Sequence, residues 1–511
     1  MENTQQATRL ICCLTSPNVR QMRQDMETAA ARGADTVECR LDYLDRLPDD
    51  AQLNRLLKDP PAQVIVTCRP RREGGQYEGD EYQRLRVLCR SANLGATIDV
   101  ERDVPVAEAL AVVSASPQSQ IIRSHHDFAS VPANLDALVA EMERSAGTVT
   151  KIVFMASRPE DAFRPLDLVR SRSRDMIALA MGDAGVVSRI LGRKFGAYGT
   201  FTTLSDTGTT APGQVSIDVM RNLYRWQSIN DRTAVYGVIG CPIAHSMSPA
   251  IHNAAFEAAA VNAVYLPLLV QSGVDNFNRF MDALLARPWL DWRGLSVTIP
   301  HKEHALAYVG ASRCEALATI IGAINTITID RGGQLSGRNT DYAAAIDALC
   351  NAMAIRREDL LDRTVAVLGA GGVARAVVAA LTHYGARVTV FNRTHSRAAA
   401  LADEFLCKSR DWDCVESLDA QIVINCTSIG MHPRVDESPL GRIPAGVEVV
   451  FDTIYNPIET KLLTFARAAG CTTVSGVDMF VNQAVAQFET WTGIRAPRDI
   501  MRSVVLKTLH D

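Results

Sequence analysis

Three observations predict an α/β protein made of a (β/α)8 (TIM) barrel followed by a two-lobed α/β unit. Over residues 1 to about 228, eight short apolar runs alternate with longer amphipathic segments. From residue 364 a β-branched run meets a glycine turn and then an apolar helix, the setting of a dinucleotide-binding lobe. Between them, at 236–253 (YGVIGCPIAHSMSPAIHN), a strand, a polar turn and a helix start begin the pattern a second time.

Composition bounds the function. A length of 511 residues leaves room for about three domains of ~150 residues. A formal net charge of -4 without any basic run argues against a nucleic-acid surface. The twelve cysteines are scattered, apart from Cys12-Cys13, with no CxxC pair or His cluster. They read as reduced thiols of a cytosolic protein, neither a zinc site nor a disulfide framework. The opening MENTQQATRL lacks the basic-then-apolar order of a signal peptide, and no Ser/Arg-rich leader is evident, so a cytoplasmic location is expected. The longest apolar stretch, 251–270, is broken by His252, Asn253, Glu257, Asn262 and Pro267 and is unsuited to spanning a membrane. Only seven of the 53 basic residues are lysine, so a lysine inside an apolar strand calls for a reason.

The expected barrel strands are 10–14, 36–41, 63–68, 96–100, 120–123, 151–155, 176–180 and 197–202, with helices such as 19–32 and 133–145 between them. A barrel of this kind keeps its active site at the C-terminal ends of the strands. Charged residues gather there: Glu38, Arg40 and Asp42 at strand two, Arg69 and Glu73 after strand three, Asp99 and Glu101 at strand four, and Ser124-His125-His126-Asp127 after strand five. Lys151 opens the apolar run KIVFMA. Desolvation disfavours an ammonium, and a neutral amine is what Schiff-base chemistry on a ketone needs. The alternative is a strand-start lysine that snorkels outward.

The blocks ECRLD (38–42), TCRPRREGG (67–75), SHHDF (124–128), KIVFMA (151–156), SRILGRKFGAYGTF (188–201) and TAPGQ (210–214) resemble, in order, those of type I 3-dehydroquinate dehydratase. The resemblance implies that Lys151 forms an imine with the C3 ketone and that His126 shuttles the proton while Glu73 orients its ring. The S-x-H-x-F pattern selects His126 and leaves His125 as the variable position. The resemblance further implies that Glu38, Arg40 and Arg69 bind ring hydroxyls and that Arg189 and Gln214 hold the carboxylate. Thr210 stands where bacterial relatives have Ser. An iminium is an electron sink that acidifies the adjacent C–H, and histidine suits the base and then the acid role. No metal is required.

In the second half, Ser246 and Ser248 lie beside a helix start marked by Pro249, where hydroxyls and orphan N–H groups suit a small carboxylate. A capped turn without a ligand is the alternative. RGLSVTIPHKE (293–303), IGAINT (321–326) and GRNTD (337–341) place Lys302, Asn325 and Asp341 in turns between elements. Lys302 and Asp341 can hold a proton near a hydroxyl undergoing oxidation, or form an ordinary surface ion pair. TVAVLGAGGVARA (364–376) carries Gly369-Ala370-Gly371-Gly372-Val373-Ala374, with pyrophosphate expected at the helix N-terminus. The next strand ends in Asn392-Arg393-Thr394, with Arg397 nearby and no carboxylate, which favours NADP(H) over NAD.

HSMSP, VTIPHK, IGAINT, NTD and NRT, with NCTSIGM (425–431), FDTIYNPIET (451–460) and SGVDMFVNQAVAQFETWTG (475–493), resemble shikimate dehydrogenase along this whole half. The resemblance implies Ser246, Ser248, Thr298, Asn325, Asp341, Tyr455 and Gln483 around the substrate, with Lys302 and Asp341 at the proton-transfer step. It also implies that Gln483 and the helix after it return to the first lobe. Ser296 replaces the Asn usual before VTxP in single-function bacterial enzymes, as in plant-type fusions, and Arg338 is unusual within GRNTD.

The expected domains are a dehydratase barrel at 1–228, a substrate lobe at 235–340 completed by helices at 480–511, and an NADP-binding Rossmann lobe at 341–479. The expected partners are small-molecule substrates, 3-dehydroquinate and 3-dehydroshikimate/shikimate, with no nucleic acid and no membrane. A quinate dehydrogenase shares most of these motifs, and the Ser246/Ser248 pair leans towards shikimate. A non-catalytic regulator with the same domains is disfavoured by the presence of Lys151, His126, Lys302 and Asp341 together.

Overall fold

The period-two apolar pattern of the first half winds into a nearly closed barrel. The computed structural model describes residues 8–105, 107–108, 120–145, 147–205, 210–244 and 246–510. Strands β1 (Arg9–Leu14), β2 (Thr36–Arg40), β3 (Gln63–Thr67), β4 (Thr97–Glu101), β5 (Ile121–Asp127), β6 (Val149–Met155), β7 (Asp175–Met181) and β8 (Gly199–Thr203) lie in the order β7-β6-β5-β4-β3-β2-β1-β8. Each neighbouring pair along this order, from β7 with β6 to β1 with β8, is parallel.

Two of the departures from the expected strand ends bear on the site. β5 runs on through His125 and His126, because their backbone continues to pair with β6: Ser124 faces Lys151 and His126 faces Val153. β6 starts at Val149, so Lys151 is its third residue rather than its first. Alternation along β6 then sorts its side chains. Val149 and Val153 join Ile11, Cys13, Leu179 and Phe201 in an inner cluster. Ile152 and Phe154 face outward onto Leu138 and Met142 of the helix Leu135–Arg144. Lys151 shares the inward parity.

Helix starts follow side-chain chemistry. Asn18 accepts from Gln21 N ahead of Val19–Ala31, and Asp80 accepts from Gln83 N ahead of Glu81–Asn93. Each such cap stabilises its helix by about 1 kcal/mol.

The chain divides into two compact units, the first comprising residues 1–234 with 262–270 and 279–287, the second the remainder. Within the first, the stretch after the barrel is tethered. Lys194 Nζ donates to the carbonyls of Asp231 and Thr233 at 2.8 and 2.7 Å, and Arg193 Nε donates to Ile229 O at 3.0 Å. Strand β10 (Ala263–Leu269) also belongs to this unit.

In the second unit β9 (Ala234–Gly240) pairs in parallel with β11 (Trp292–Val297), and β12 (Thr326–Ile329) and β13 (Leu335–Arg338) follow antiparallel. A six-stranded parallel sheet then runs β16-β15-β14-β17-β18-β19, where β14 is Thr364–Leu368, β15 Arg387–Asn392, β16 Lys408–Asp411, β17 Ile422–Asn425, β18 Val449–Asp452 and β19 Thr472–Ser475. This is the 3-2-1-4-5-6 order of dinucleotide-binding folds, whose ligand crevice opens where β14 and β17 diverge. Both faces are covered: Val365 and Val367 enter one apolar cluster, Ala366 and Leu368 the other. That explains the near-continuous apolar run of β14. The helix Gly476–Thr492 packs along the helix Thr340–Met353, and its far end reaches β11 and β12 through Gln487 and Trp491. No described helix is long and apolar enough to cross a membrane.

Candidate active sites

The nine barrel residues singled out from sequence, Glu38, Arg40, Arg69, Glu73, His126, Lys151, Arg189, Thr210 and Gln214, line one pocket. Lys151 lies at its floor. Its Nζ is 2.9 Å from Asp99 Oδ2 and 3.5 Å from Glu38 Oε1, and it stands over the Phe201 ring at 4.1 Å. Of the two sequence alternatives, a buried lysine and one that snorkels outward, the structure has the buried one, with two carboxylates beside it. Burial disfavours a charge on Asp99, yet Arg69 and Lys151 outweigh it and hold the carboxyl far below its ordinary range. Glu38 is held down likewise, with Lys151 and then Arg40 opposing burial.

Three cations of the pocket region are neutralised within the protein. Arg69 contacts Asp99 at 2.8 Å, Glu101 at 2.6 Å and Ser124 Oγ at 2.7 Å. Arg84 shares Glu101 at 2.7 Å. Arg40 makes a bidentate pair with Asp42 at 2.9 and 2.7 Å. Arg189 differs. It is fully buried, its Nε meets no hydrogen-bond partner, and its Nη2 reaches only Pro212 O at 3.4 Å. Burial pulls its guanidinium down to about 10. Among the described residues no carboxylate pairs with it, so an anion entering the pocket meets an uncompensated cation. Gln214 Oε1 accepts from Thr210 N, Thr210 Oγ1 and Ala211 N at 2.8, 3.1 and 3.3 Å and so shapes the loop beside Arg189.

His126 lines the same pocket from the neighbouring strand β5, where it pairs with Val153, two residues beyond Lys151. Glu73 Oε2 accepts from its backbone N–H at 2.7 Å and lies 3.0 Å from its Nδ1, while Glu73 Oε1 lies 3.0 Å from His125 Nδ1. Burial works against the Glu73 charge, but these two histidines hold its carboxyl down to about 2. An ionised carboxylate only accepts, so Nδ1 carries the proton and the His126 Nε2 is left as a base. Burial, then Arg69, push His126 down to about 4, which keeps the ring neutral at pH 7. The turn that carries Glu73 needs Gly74: its φ is +75°, and a Cβ there would lie 2.2 Å from the Phe128 ring.

In the second unit Lys302 and Asp341 meet at 2.5 Å. Both were expected in turns; both instead sit in the first turn of helices, Lys302–Val309 and Thr340–Met353. A carboxylate suits a helix N-terminus and an ammonium opposes it, so Asp341 offsets the placement of Lys302. Asn325 precedes β12 and is anchored to the same helix start: its Oδ1 accepts from Thr340 N at 2.8 Å and its Nδ2 donates to Thr340 Oγ1 at 3.0 Å. Thr298 N donates to Ile239 O, which fixes the strand end before Lys302. Tyr455 stacks on Phe480 at 4.7 Å, and Gln483 Nε2 donates to Phe480 O at 3.2 Å. Ser248 is the first residue of the helix Ser248–Ala258, and Ser246 Oγ accepts from its N–H at 3.3 Å. The hydroxyl of Ser246 thus turns onto one of the free N–H groups, as a capped turn does. Lys302 and Asp341 are in direct contact and Asn325 joins them through Thr340, Tyr455 and Gln483 meet through Phe480, and Ser246 and Ser248 form a third group.

The turn after β14 suits a dinucleotide. Gly369 has φ +111°, and a Cβ there would lie 3.0 Å from the Cys426 backbone, at the point where β14 and β17 diverge. A Cβ on Gly371 or Gly372 would meet nothing within 4 Å, which leaves open space over the N-terminus of Gly372–His383. With Ala370 and Val373 they form the turn, and Ala374 is fully buried where helix meets strand. These residues fit a pyrophosphate on free N–H groups. At the end of β15, Arg393 and Arg397 are exposed and make no ion pair with a described residue, while Asn392 Nδ2 holds Thr394 O at 2.9 Å. A carboxylate missed from sequence, Asp411 on β16, lies opposite Asn392 and pairs with His395 at 3.4 Å.

Sequence reasoning noted Asp99 and Glu101 at the rim without assigning them to a site, and it passed over Cys13 and Gln487. Cys13 Sγ donates to Glu38 Oε2 at 3.1 Å. Gln487 accepts from Ser296 Oγ at 2.9 Å and donates to Asn325 O at 3.2 Å. The alternation of TIDVE in β4 signals Asp99 and Glu101 as inward residues. Nothing local signals Gln487, whose partners lie more than 160 residues away.

Fold and sites together define a fusion of a lysine-bearing (β/α)8 lyase barrel with a pyridine-nucleotide dehydrogenase. Comparison with known proteins agrees. A family model described as Type I 3-dehydroquinase matches residues 10–231. Models for the Shikimate dehydrogenase substrate binding domain, Shikimate / quinate 5-dehydrogenase and the Shikimate 5'-dehydrogenase C-terminal domain match 238–327, 352–457 and 476–506. A curated relative from Arabidopsis thaliana, the chloroplastic bifunctional 3-dehydroquinate dehydratase/shikimate dehydrogenase, is 37% identical over 98% of this chain and 84% of its own. The chain belongs to the bifunctional 3-dehydroquinate dehydratase/shikimate dehydrogenase family. A shikimate dehydrogenase (NADP(+)) from Methanosarcina acetivorans is 39% identical over 54% of this chain and 99% of its own. A shikimate dehydrogenase crystallised in complex with NADP+ is similar with TM-score 0.50 and 34% identity, covering 55% of this chain and 97% of that one.

Proposed function

We propose that the barrel dehydrates 3-dehydroquinate to 3-dehydroshikimate through a Schiff base and that the second half reduces 3-dehydroshikimate to shikimate with NADPH. The observation that carries the reading is the convergence of Lys151, the Glu73–His126 pair and the unpaired Arg189 in one pocket. Arg189 attracts the substrate carboxylate and so sets the ketone towards Lys151. Lys151 Nζ adds to the C3 carbonyl, and loss of water leaves an iminium. His126 Nε2 takes the acidified C2 proton; the enamine expels the C1 hydroxyl, which receives that proton and departs as water. Hydrolysis of the imine frees Lys151. Base and acid are one residue, and such groups contribute about 10²–10⁴-fold to rate.

In the second half Ser246, Ser248, Thr298, Asn325, Tyr455 and Gln483 surround the substrate. Asp341 holds the Lys302 ammonium, which gives its proton to the carbonyl oxygen as it is reduced. NADPH, when bound, supplies the hydride. Gly369 to Ala374 take its pyrophosphate, and Arg393 and Arg397, with Asn392 and Thr394, take its 2′-phosphate. The working division is a barrel at 1–228, a substrate lobe at 235–340 completed by 480–511, and a Rossmann lobe at 341–479. A cytoplasmic location is supported by twelve cysteines without a disulfide.

The test is NADPH absorbance after 3-dehydroquinate alone is added to the purified chain, with a parallel run on 3-dehydroshikimate. Oxidation in both runs is expected. Oxidation with dehydroshikimate only would remove the barrel reaction; silence in both would remove the enzyme reading altogether.

A further inference from the structure

Position 125 is variable in the S-x-H-x-F pattern, yet here it carries a histidine that reaches the same carboxylate as the motif histidine. Glu73 is buried, and each of its oxygens is used: Oε2 by the backbone N–H and Nδ1 of His126, at 2.7 and 3.0 Å, and Oε1 by Nδ1 of His125 at 3.0 Å. Successive strand residues project to opposite faces. The two rings nevertheless converge on one acceptor, one ring to each oxygen. Because the carboxylate is ionised, both Nδ1 atoms must donate. Without His125, Oε1 would be buried with no partner, and the carboxylate would be free to turn about its terminal bond.

We propose that His125 is a positioning residue for the dehydration: by holding Oε1 it locks the Glu73 carboxylate, and through it the tautomer and orientation of the His126 ring. The inference rests on His126 being the proton shuttle. An orienting carboxylate acts on a catalytic histidine by fixing which nitrogen is bare. His125 acts one contact further back, so its effect belongs in kcat for the proton-transfer steps and not in capture of the ketone.

The experiment uses the full chain with His125→Phe, His125→Asn and His126→Ala. Dehydratase kcat and KM, the yield of borohydride-trapped adduct on Lys151, and reduction of 3-dehydroshikimate are measured for each. His125→Phe should lower dehydratase kcat by about tenfold or more, with KM, adduct yield and reduction within about twofold of the parent. His125→Asn, whose amide N–H can reach Oε1, should recover kcat to within about threefold. A parental kcat in His125→Phe overturns the proposal, as does an Asn variant no better than Phe, or a KM that rises in proportion as kcat falls. If the Phe variant fails to fold, the Asn variant decides alone: kcat within about threefold supports the proposal, and a fall of about tenfold overturns it. A His126→Ala chain that still dehydrates removes the proton-shuttle reading itself. An inactive His126→Ala beside a fully active His125→Phe removes only the positioning role.

Discussion

At the residue scale, Lys151 is held by the groups that compensate its charge. Asp99 binds it at 2.9 Å and is itself shared with Arg69 and with Ser124 Oγ, which donates to it at 2.5 Å. A ketone arriving at Nζ therefore enters a site where proton acceptors already stand beside the amine. Lys151→Ala should abolish dehydration and borohydride trapping while reduction of dehydroshikimate stays at the parental rate. Loss of both activities in a folded variant would show that the two sites are not independent. The residues that set this environment were unevenly legible. Lys151 stood out because lysine is rare in this chain and sits in an apolar run. His125 was passed over because motif spacing selects one histidine and says nothing of a carboxylate 52 residues earlier.

At the element scale, Asp452 ends β18 and ties it to its neighbours. Its Oδ1 accepts from Asn425 Nδ2 of β17 at 3.0 Å and from Ile454 N at 3.1 Å, and its Oδ2 accepts from Thr460 Oγ1 at 2.7 Å. Thr460 caps the helix Lys461–Ala468. Burial raises the Asp452 carboxyl from 3.8 to about 6 despite these donors. A carboxyl raised in the folded state contributes stability that is present below its unfolded value and lost as pH climbs through the folded value. Asp452→Asn imitates the neutral form. Its apparent melting temperature, relative to the parent, should therefore rise between about pH 4 and 6.5 and level off above; a constant offset at every pH would count against this. The strands themselves were readable from period and β-branched content. The extension of β5 was not, because it depends on backbone pairing with β6, which lies further along the chain. Lys302 and Asp341 were read into turns because a proline and a polar run precede them, whereas the helices begin at or one residue before them.

At the scale of the whole molecule, the groups proposed for each reaction lie within one unit: those of the barrel fall between Glu38 and Gln214, those of the dehydrogenase between Ser246 and Gln483. A mixture of Lys151→Ala chains and Lys302→Ala chains should therefore oxidise NADPH when given 3-dehydroquinate, although neither chain does so alone. No oxidation in the mixture would mean that the intermediate passes only within one chain. The fold class and the order of the halves were legible because period and motif blocks are local. The links that finish each site join residues far apart in the chain, such as Gln487 with Asn325 and Glu38 with Lys151.

The scarcity of lysine gives the buried amine a practical address. Seven lysines serve 511 residues, and Lys194, the other buried one, spends its Nζ on two backbone carbonyls. A ketone reduced onto the protein would leave its added mass on a single tryptic-resistant position, so intact-mass spectrometry could count occupied barrels in a population, chain by chain, without following turnover at all.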